Sequence, residues 1–231
     1  MRSTFTKTVA IAALLAGVAG AAHATEGWYG QGTVGYGLDG SLDGDVVSNI
    51  PANSGPLDYD FDDDWMGAAS LGYAFVNGFR LEGELSYRTN DMSDGASPPS
   101  TGDVNAWAGL INLIYDFNRQ GQLQPYLGVG VGAARVDATF NGVGSSDDTV
   151  FAYQAMAGLG IVLSPRLTLD IGYRYLAAPD VGLNYAIPDS PFVGSIETLK
   201  ANVDYEHQAA VIGLRWQFAA PPPPPPPPAP P

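Results

Sequence analysis

Cysteine is absent from the 231 residues, and lysine occurs only at Lys7 and Lys200. A chain without cysteine has no disulfides to stabilise it outside the cell, so its stability must come from elsewhere. The scarcity of cations, with a formal net charge of −14, argues against nucleic acid, whose phosphates need Lys and Arg. Long apolar runs are missing too. After residue 24 none reaches the ~20 residues that a transmembrane helix needs. No G-x-S-x-G, H-E-x-x-H or Walker-type sequence occurs. Past residue 24 the only histidine is His207, and a lone histidine is more often a polar lumen or rim residue than a base. The sequence therefore predicts neither an enzyme nor a cofactor.

What is present begins with a leader. Residues 1–24 read MRSTFTKTVAIAALLAGVAGAAHA. Arg2 and Lys7 supply a positive start, and Val9 to Gly20 supply an apolar stretch too short to span a bilayer. Ala22-His23-Ala24 is a small-x-small cleavage site, which completes the pattern of a secretory signal peptide. Its removal takes two positive charges and no acid, so the net charge moves from −14 to −16. An exported chain of this kind is either soluble or a β-barrel in an outer membrane.

The rest of the chain is dominated by a period of two, the period of a strand. In FRLEGELSYR (79–88), Phe79, Leu81, Gly83, Leu85 and Tyr87 face one way and Arg80, Glu82, Glu84, Ser86 and Arg88 the other. The same alternation runs through 27–38, 65–75, 125–136, 151–163, 167–175 and 205–218. In 27–38 and 65–75 the aromatic and aliphatic residues oppose Gly, Ser, Thr and Gln. In 104–117, Trp107, Ile111, Leu113, Tyr115 and Phe117 are assigned outward and Asn112 inward. Eight strands of about 9–14 residues are close to the length that crosses a bilayer when tilted. Aromatics sit near the ends of the apolar faces, among them Trp28, Trp65, Tyr73, Phe79, Tyr87, Trp107, Tyr115, Trp216 and Phe218. Girdles of this kind mark the two interfaces of a membrane barrel.

The connections alternate as well. Residues 76–78, 118–124 and 164–166 read as short turns, whereas 39–64, 89–103, 137–149 and 176–204 read as long polar loops. Short turns on one side and long loops on the other fit a bacterial outer-membrane barrel. The expected fold is all-β, an eight-stranded antiparallel up-and-down transmembrane barrel over residues 25–218, with residues 219–231 as a proline-rich periplasmic tail. A soluble lipid-binding barrel would carry its apolar face inside. Here the larger apolar face opposes the charges, which is the reverse.

The stretches GWYGQGTVGYGL, FRLEGELSYR, INLIYDF, QPYLGVGVGAARV, FAYQAMAGLGIVLSPRLTLDIGYRY and HQAAVIGLRWQF together resemble the transmembrane barrel of the OmpA family, in the style of small α-proteobacterial surface antigens. The resemblance covers about residues 26–218. It also implies that Ile212, Leu214, Trp216 and Phe218, alternating to a terminal aromatic, form the signal read by the outer-membrane assembly machinery. Members often continue through a Pro/Ala-rich linker into a domain that binds peptidoglycan. This chain has the linker composition, so peptidoglycan enters as a partner only if such a domain follows.

The inward polar set is Arg80, Glu82, Glu84, Arg88, Asn112, Asp170, Arg174 and Arg215. Unpaired charges in a narrow interior are expensive, so these should pair into a network that plugs the lumen. The alternative is a selectivity filter or gate. In the first long loop, Asp58, Asp60, Asp62, Asp63 and Asp64 are dense enough to be weighed as a Ca²⁺ site. The turn glycine and distal Glu of an EF-hand are missing, so a solvated acidic surface, bridged loosely by divalent ions to lipopolysaccharide, is the preferred reading. The expected role is structural and interactive, with membrane lipid, lipopolysaccharide and an extracellular ligand at the loops as partners. A small low-conductance porin, or a channel for hydrophobic solutes, is the alternative.

Overall fold

A computed structural model of the protein describes residues 26–50, 54–93, 101–140, 144–187 and 197–218, with side chains except at 60–64, 91–93 and 101. The leader expected at 1–24 and the tail expected at 219–231 lie outside the described residues. Eight strands follow in chain order: β1 (Gly27–Ser48), β2 (Gly55–Ala74), β3 (Phe79–Ser93), β4 (Thr101–Asp116), β5 (Leu123–Phe140), β6 (Gly144–Ser164), β7 (Leu167–Ile187) and β8 (Glu197–Gln217). Each pairs antiparallel with its neighbours, and β8 pairs with β1 to close a barrel. Closure leaves no sheet edge with unpaired N–H and C=O groups, the condition for crossing hydrocarbon with strands.

Three tight turns lie at the end that holds both termini of the barrel. The first is made by Val76, Asn77 and Gly78, with the Gly78 amide donating to the Phe75 carbonyl at 3.3 Å. The glycine takes a φ of 94°, and the Asn77 side chain accepts a hydrogen bond from the Phe79 amide at 3.2 Å. A left-handed residue there favours glycine because it has no Cβ to clash.

The outward face of the turn-side half is apolar and bounded by two aromatic belts. Trp28 meets Tyr73, and Phe79 meets Tyr115, with ring centroids 5.6 and 4.9 Å apart. Tyr36 meets Trp65 at 5.5 Å and Tyr87 meets Trp107 at 4.7 Å. The belts are eight residues apart on each strand (28 to 36, 79 to 87, 107 to 115). At about 3.3 Å per residue this is about 26 Å of strand. A tilt of about 40° turns it into roughly 20 Å of depth. Between the belts stand Leu81, Leu85, Ile111, Leu113, Leu127, Val129, Val131, Ile171, Ile212 and Leu214, all exposed on the barrel wall.

Beyond the outer belt the sequence predicts long loops, and here the structure differs. The strands run on through most of 39–64, 89–93, 101–103, 137–140, 144–149, 176–187 and 197–204. β1 continues from Tyr36 to Ser48 and β7 from Tyr175 to Ile187. At this end the strands stop at Ser48, Ser93, Phe140 and Ile187 and resume at Gly55, Thr101, Gly144 and Glu197. The reason lies in the polarity, which inverts at the outer belt. Past it Leu42, Val104, Val136, Leu176, Val181, Leu183, Val203 and Tyr205 point inward and form one apolar cluster. Asp43, Asp45, Asp58, Asp147, Lys200, Asn202 and Asp204 point outward. These strands are bounded by water, so their apolar face goes inside.

Three bulges mark the change: between Gly37 and Asp39 in β1, Asp62 and Trp65 in β2, and Ala178 and Val181 in β7. One extra residue moves each following side chain to the opposite face. Inward positions in β1 are therefore odd up to Gly37 and even from Gly40. Asp180, at φ 59°, carries the β7 bulge, and its amide donates to the Asp204 carboxylate at 3.0 Å.

Ile111 lies midway between Trp107 and Tyr115 and faces out. Ile111→Arg is expected to lower folding stability by about 2–4 kcal/mol, as for a cation at the bilayer midplane. Asn202→Arg, outward on the water-bounded part of β8, is expected to cost less than about 0.5 kcal/mol. Urea titration of folding into lipid vesicles measures both.

Candidate functional site

The lumen between the belts is filled by polar side chains, and β3 supplies the largest share. Its alternation turns Arg80, Glu82, Glu84, Ser86, Arg88 and Asn90 inward, all buried. Nearest the turns, the Arg80 guanidinium donates to both oxygens of Asp116, at 3.0 Å from Nε and 3.0 Å from Nη2. Such a bidentate fork is the strongest geometry for this pair. The Tyr29 and Tyr126 rings lie 5.6 and 5.5 Å from the same guanidinium. Arg215 on β8 reaches Asp170 on β7 at 3.3 Å and crosses the barrel to Asp116 on β4 at 3.7 Å. Arg119, from the turn after β4, stands 3.9 Å from Asp116.

A second layer sits above. Tyr29 Oη donates to Glu82 at 2.8 Å, and the Asn112 amide donates to Glu82 at 3.2 Å and to Glu84 at 3.1 Å. Gln154 donates to Asn112 Oδ1 at 2.7 Å. Arg174 on β7 spans the lumen to Glu84 on β3 at 2.5 Å. β3 and β7 are opposite in the ring, as are β4 and β8, so two ion pairs run across the full width. Small inward residues make this possible. A Cβ on Gly130 would strike the Asn112 amide, and one on Gly72 would strike the Tyr29 ring.

Above this, Arg88 donates through Nη1 to Ser86 Oγ at 2.8 Å, while its Nε and Nη2 have no partner among the described residues. Asn90 donates to Tyr205 Oη at 2.9 Å. His207 is buried inside the wall beside these groups, with Nε2 unpartnered. The apolar cluster already includes Ala106 and Ala108, opposite Arg88 and Ser86, and continues beyond them.

All eight residues expected in the interior, Arg80, Glu82, Glu84, Arg88, Asn112, Asp170, Arg174 and Arg215, are buried in the lumen. The expectation that every charge pairs does not hold. Arg88 has no salt bridge among the described residues, and Glu82 is held by Tyr29 and Asn112 instead. Asp116, Gln124 and Gln154 join the network without having been picked from the sequence, although all three keep the inward parity of their strands. Tyr29 and Tyr126 were missed for a different reason. Aromatics in these strands read as lipid-facing, and only the glycines opposite them, Gly72, Gly158 and Gly172, give the inward rings room.

The acidic stretch expected to be a loop is part of β2. Asp58 points outward and stands opposite Asp43, which in turn stands opposite Asp204. The side chains of Asp60, Asp62, Asp63 and Asp64 lie outside the described residues. Extended backbone spreads alternate carboxylates along one face instead of wrapping them around an ion. Of the terminal row, Ile212, Leu214, Trp216 and Phe218 all face outward.

A family model described as outer membrane protein beta-barrel domain matches residues 9–218. A protein named outer membrane protein from Gluconacetobacter diazotrophicus is 29% identical over 204 residues, covering 74% of this chain and 52% of its own length. An uncharacterised protein of Brucella abortus is 29% identical over 194 residues, covering 66% of this chain and 68% of its own. The crystal structure of the outer membrane protein OprG from Pseudomonas aeruginosa superposes with a TM-score of 0.56 at 13% identity, covering 85% of this chain and 99% of that one. At that identity the likeness is one of fold.

Removing one member of the diametral pair leaves the other buried and unpaired. Arg174→Met is expected to cost about 3–5 kcal/mol, and Arg174→Met combined with Glu84→Gln to recover most of that loss. Urea titration of the two variants in vesicles checks the order.

Proposed function

The chain belongs to the outer membrane protein β-barrel family and resides in the bacterial outer membrane, and on that premise we propose that it acts as a closed structural and contact-making barrel, not as a pore. The observation that carries this reading is the double seal of the lumen. Arg174–Glu84 and Arg215–Asp116 cross it at two levels, and an apolar cluster fills it above them. A conducting lumen needs a continuous wetted path. An eight-stranded barrel is just wide enough for its own side chains. The reading is also non-catalytic. His207 is 1% exposed inside the wall, out of reach of a substrate in solution.

The contact surface in this reading is the wall above the outer belt. Asp58, Asp43 and Asp204 face one another across three strands, and like charges placed opposite destabilise a sheet. Such a surface favours cationic partners, including divalent ions shared with anionic lipopolysaccharide.

Purified protein in planar bilayers is expected to show no discrete channels, whereas Glu84→Ala with Arg174→Ala is expected to admit brief conductance steps. Stable wild-type conductance would overturn the closed reading in favour of a small channel. We also assign the outward row Ile212, Leu214, Trp216 and Phe218 to recognition by the assembly machinery. Phe218→Ala is then expected to reduce the amount of folded barrel in cells several-fold while leaving urea stability in vesicles nearly unchanged, as quantitative immunoblotting and titration would report.

A further inference from the structure

Arg88 is the one guanidinium of the lumen without a carboxylate within 4.0 Å among the described residues. Its side chain is fully buried, and two of its nitrogens, Nε and Nη2, donate to nothing. A guanidinium stays charged at any ordinary pH, so the group cannot escape by losing its proton. A buried cation with unmet donors is among the costliest groups a fold can hold.

Three further observations point to a counter-charge beside it. First, every lumen carboxylate is engaged elsewhere. Asp116 is shared by Arg80, Arg119 and Arg215, Asp170 is taken by Arg215 and Glu84 by Arg174, and Glu82 is held by Tyr29 and Asn112, so Arg88 is the cation these pairings pass over. Second, His207 Nε2 is also buried and unpartnered, and Arg88 acts electrostatically on that ring. The hydrogen bond from Asn90 to Tyr205 joins β3 to β8 one inward position above both residues. Third, the neighbouring inward positions are apolar. Met66 and Ala106 stand opposite Arg88, and Ala68 and Ala108 stand opposite Ser86. The register thus puts Met66 and Ala106 beside Arg88 where a fold that neutralised it internally would place an acid.

Water can satisfy a donor, but it cannot cancel a charge. A bulky anion has no way in, because the apolar cluster closes the lumen above and the ion pairs close it below. We propose that the Arg88 guanidinium and the His207 imidazole hold a small monovalent anion of halide size, enclosed when the barrel forms. The site supplies two guanidinium N–H donors and the imidazole Nε2–H of the neutral ring, and the ion supplies the counter-charge that no described carboxylate places beside Arg88.

Crystals of the full chain refolded and grown in sodium bromide test this directly. An anomalous bromine peak within hydrogen-bonding reach of Arg88 Nε and Nη2 is the expected result. An ordered water alone at that place overturns the proposal. In solution, protein refolded in sodium chloride is expected to keep its heat-modifiable gel mobility to a temperature about 4 °C higher than protein refolded in sodium gluconate at equal ionic strength. Arg88→Met is expected to lose that difference, and His207→Ala to reduce it while leaving Arg88 in place. Equal midpoints for the wild type in the two salts count against the site.

Discussion

Everything in this molecule depends on the pairing of β8 with β1. Hydrocarbon offers backbone groups no hydrogen bonds, so a sheet that crosses it must have no edge. Closing at eight strands then fixes the width of the lumen. From that width follow the demands on the inward side chains, which must fill the space and neutralise one another without water. The bidentate Arg80–Asp116 pair, the tyrosines stacked near it and the Asn112–Gln154 amides meet those demands layer by layer. The glycines opposite the largest groups are the complement of the same packing.

The same barrel wall serves two solvents. Below the outer belt it meets lipid, and the polar side chains are inside. Above the belt it meets water, and the apolar side chains are inside. Three bulges on strands β1, β2 and β7 perform the exchange at nearly one height, without a break in the sheet. β3 to β5 and β8 keep one parity throughout, and β6 does so as far as Val162, so these strands make the exchange by residue choice alone. On β3 the inward row stays polar as far as Asn90, and on β5 it passes from Gly130 and Gly132 to Ala134 and Val136.

The membrane-spanning part was legible in the sequence because its period is strict and its charges are few. FRLEGELSYR announces both faces of β3, and Asn112 could be placed inside a run of apolar neighbours by parity alone. The upper part was not legible as strand. Its outward positions carry Asp, Asn and Gly, residues that mark turns in most contexts. Its alternation is present in VGLNYAI and LKANVDY, but a bulge puts it out of phase with the segment before it in β7, and Asp180 adopts a conformation that reads as a turn. The interior network was legible as a set of inward charges. Its pairing was not, since which guanidinium finds which carboxylate depends on strands that are opposite in the ring and distant in the chain, as with Arg215 and Asp116.

Strands that run on through most of the expected loops change how another molecule would meet this end of the barrel. The neighbours of Asp43 are Asp58 and Asp204, which lie on different strands and far apart in the chain. A recognition patch on this surface is therefore composed across strands, in register, and exists only while the barrel is closed. An antibody raised against the folded protein would bind a conformational epitope that vanishes on boiling, and one raised against linear peptides from these strands would meet rows whose alternate residues are turned to the inside.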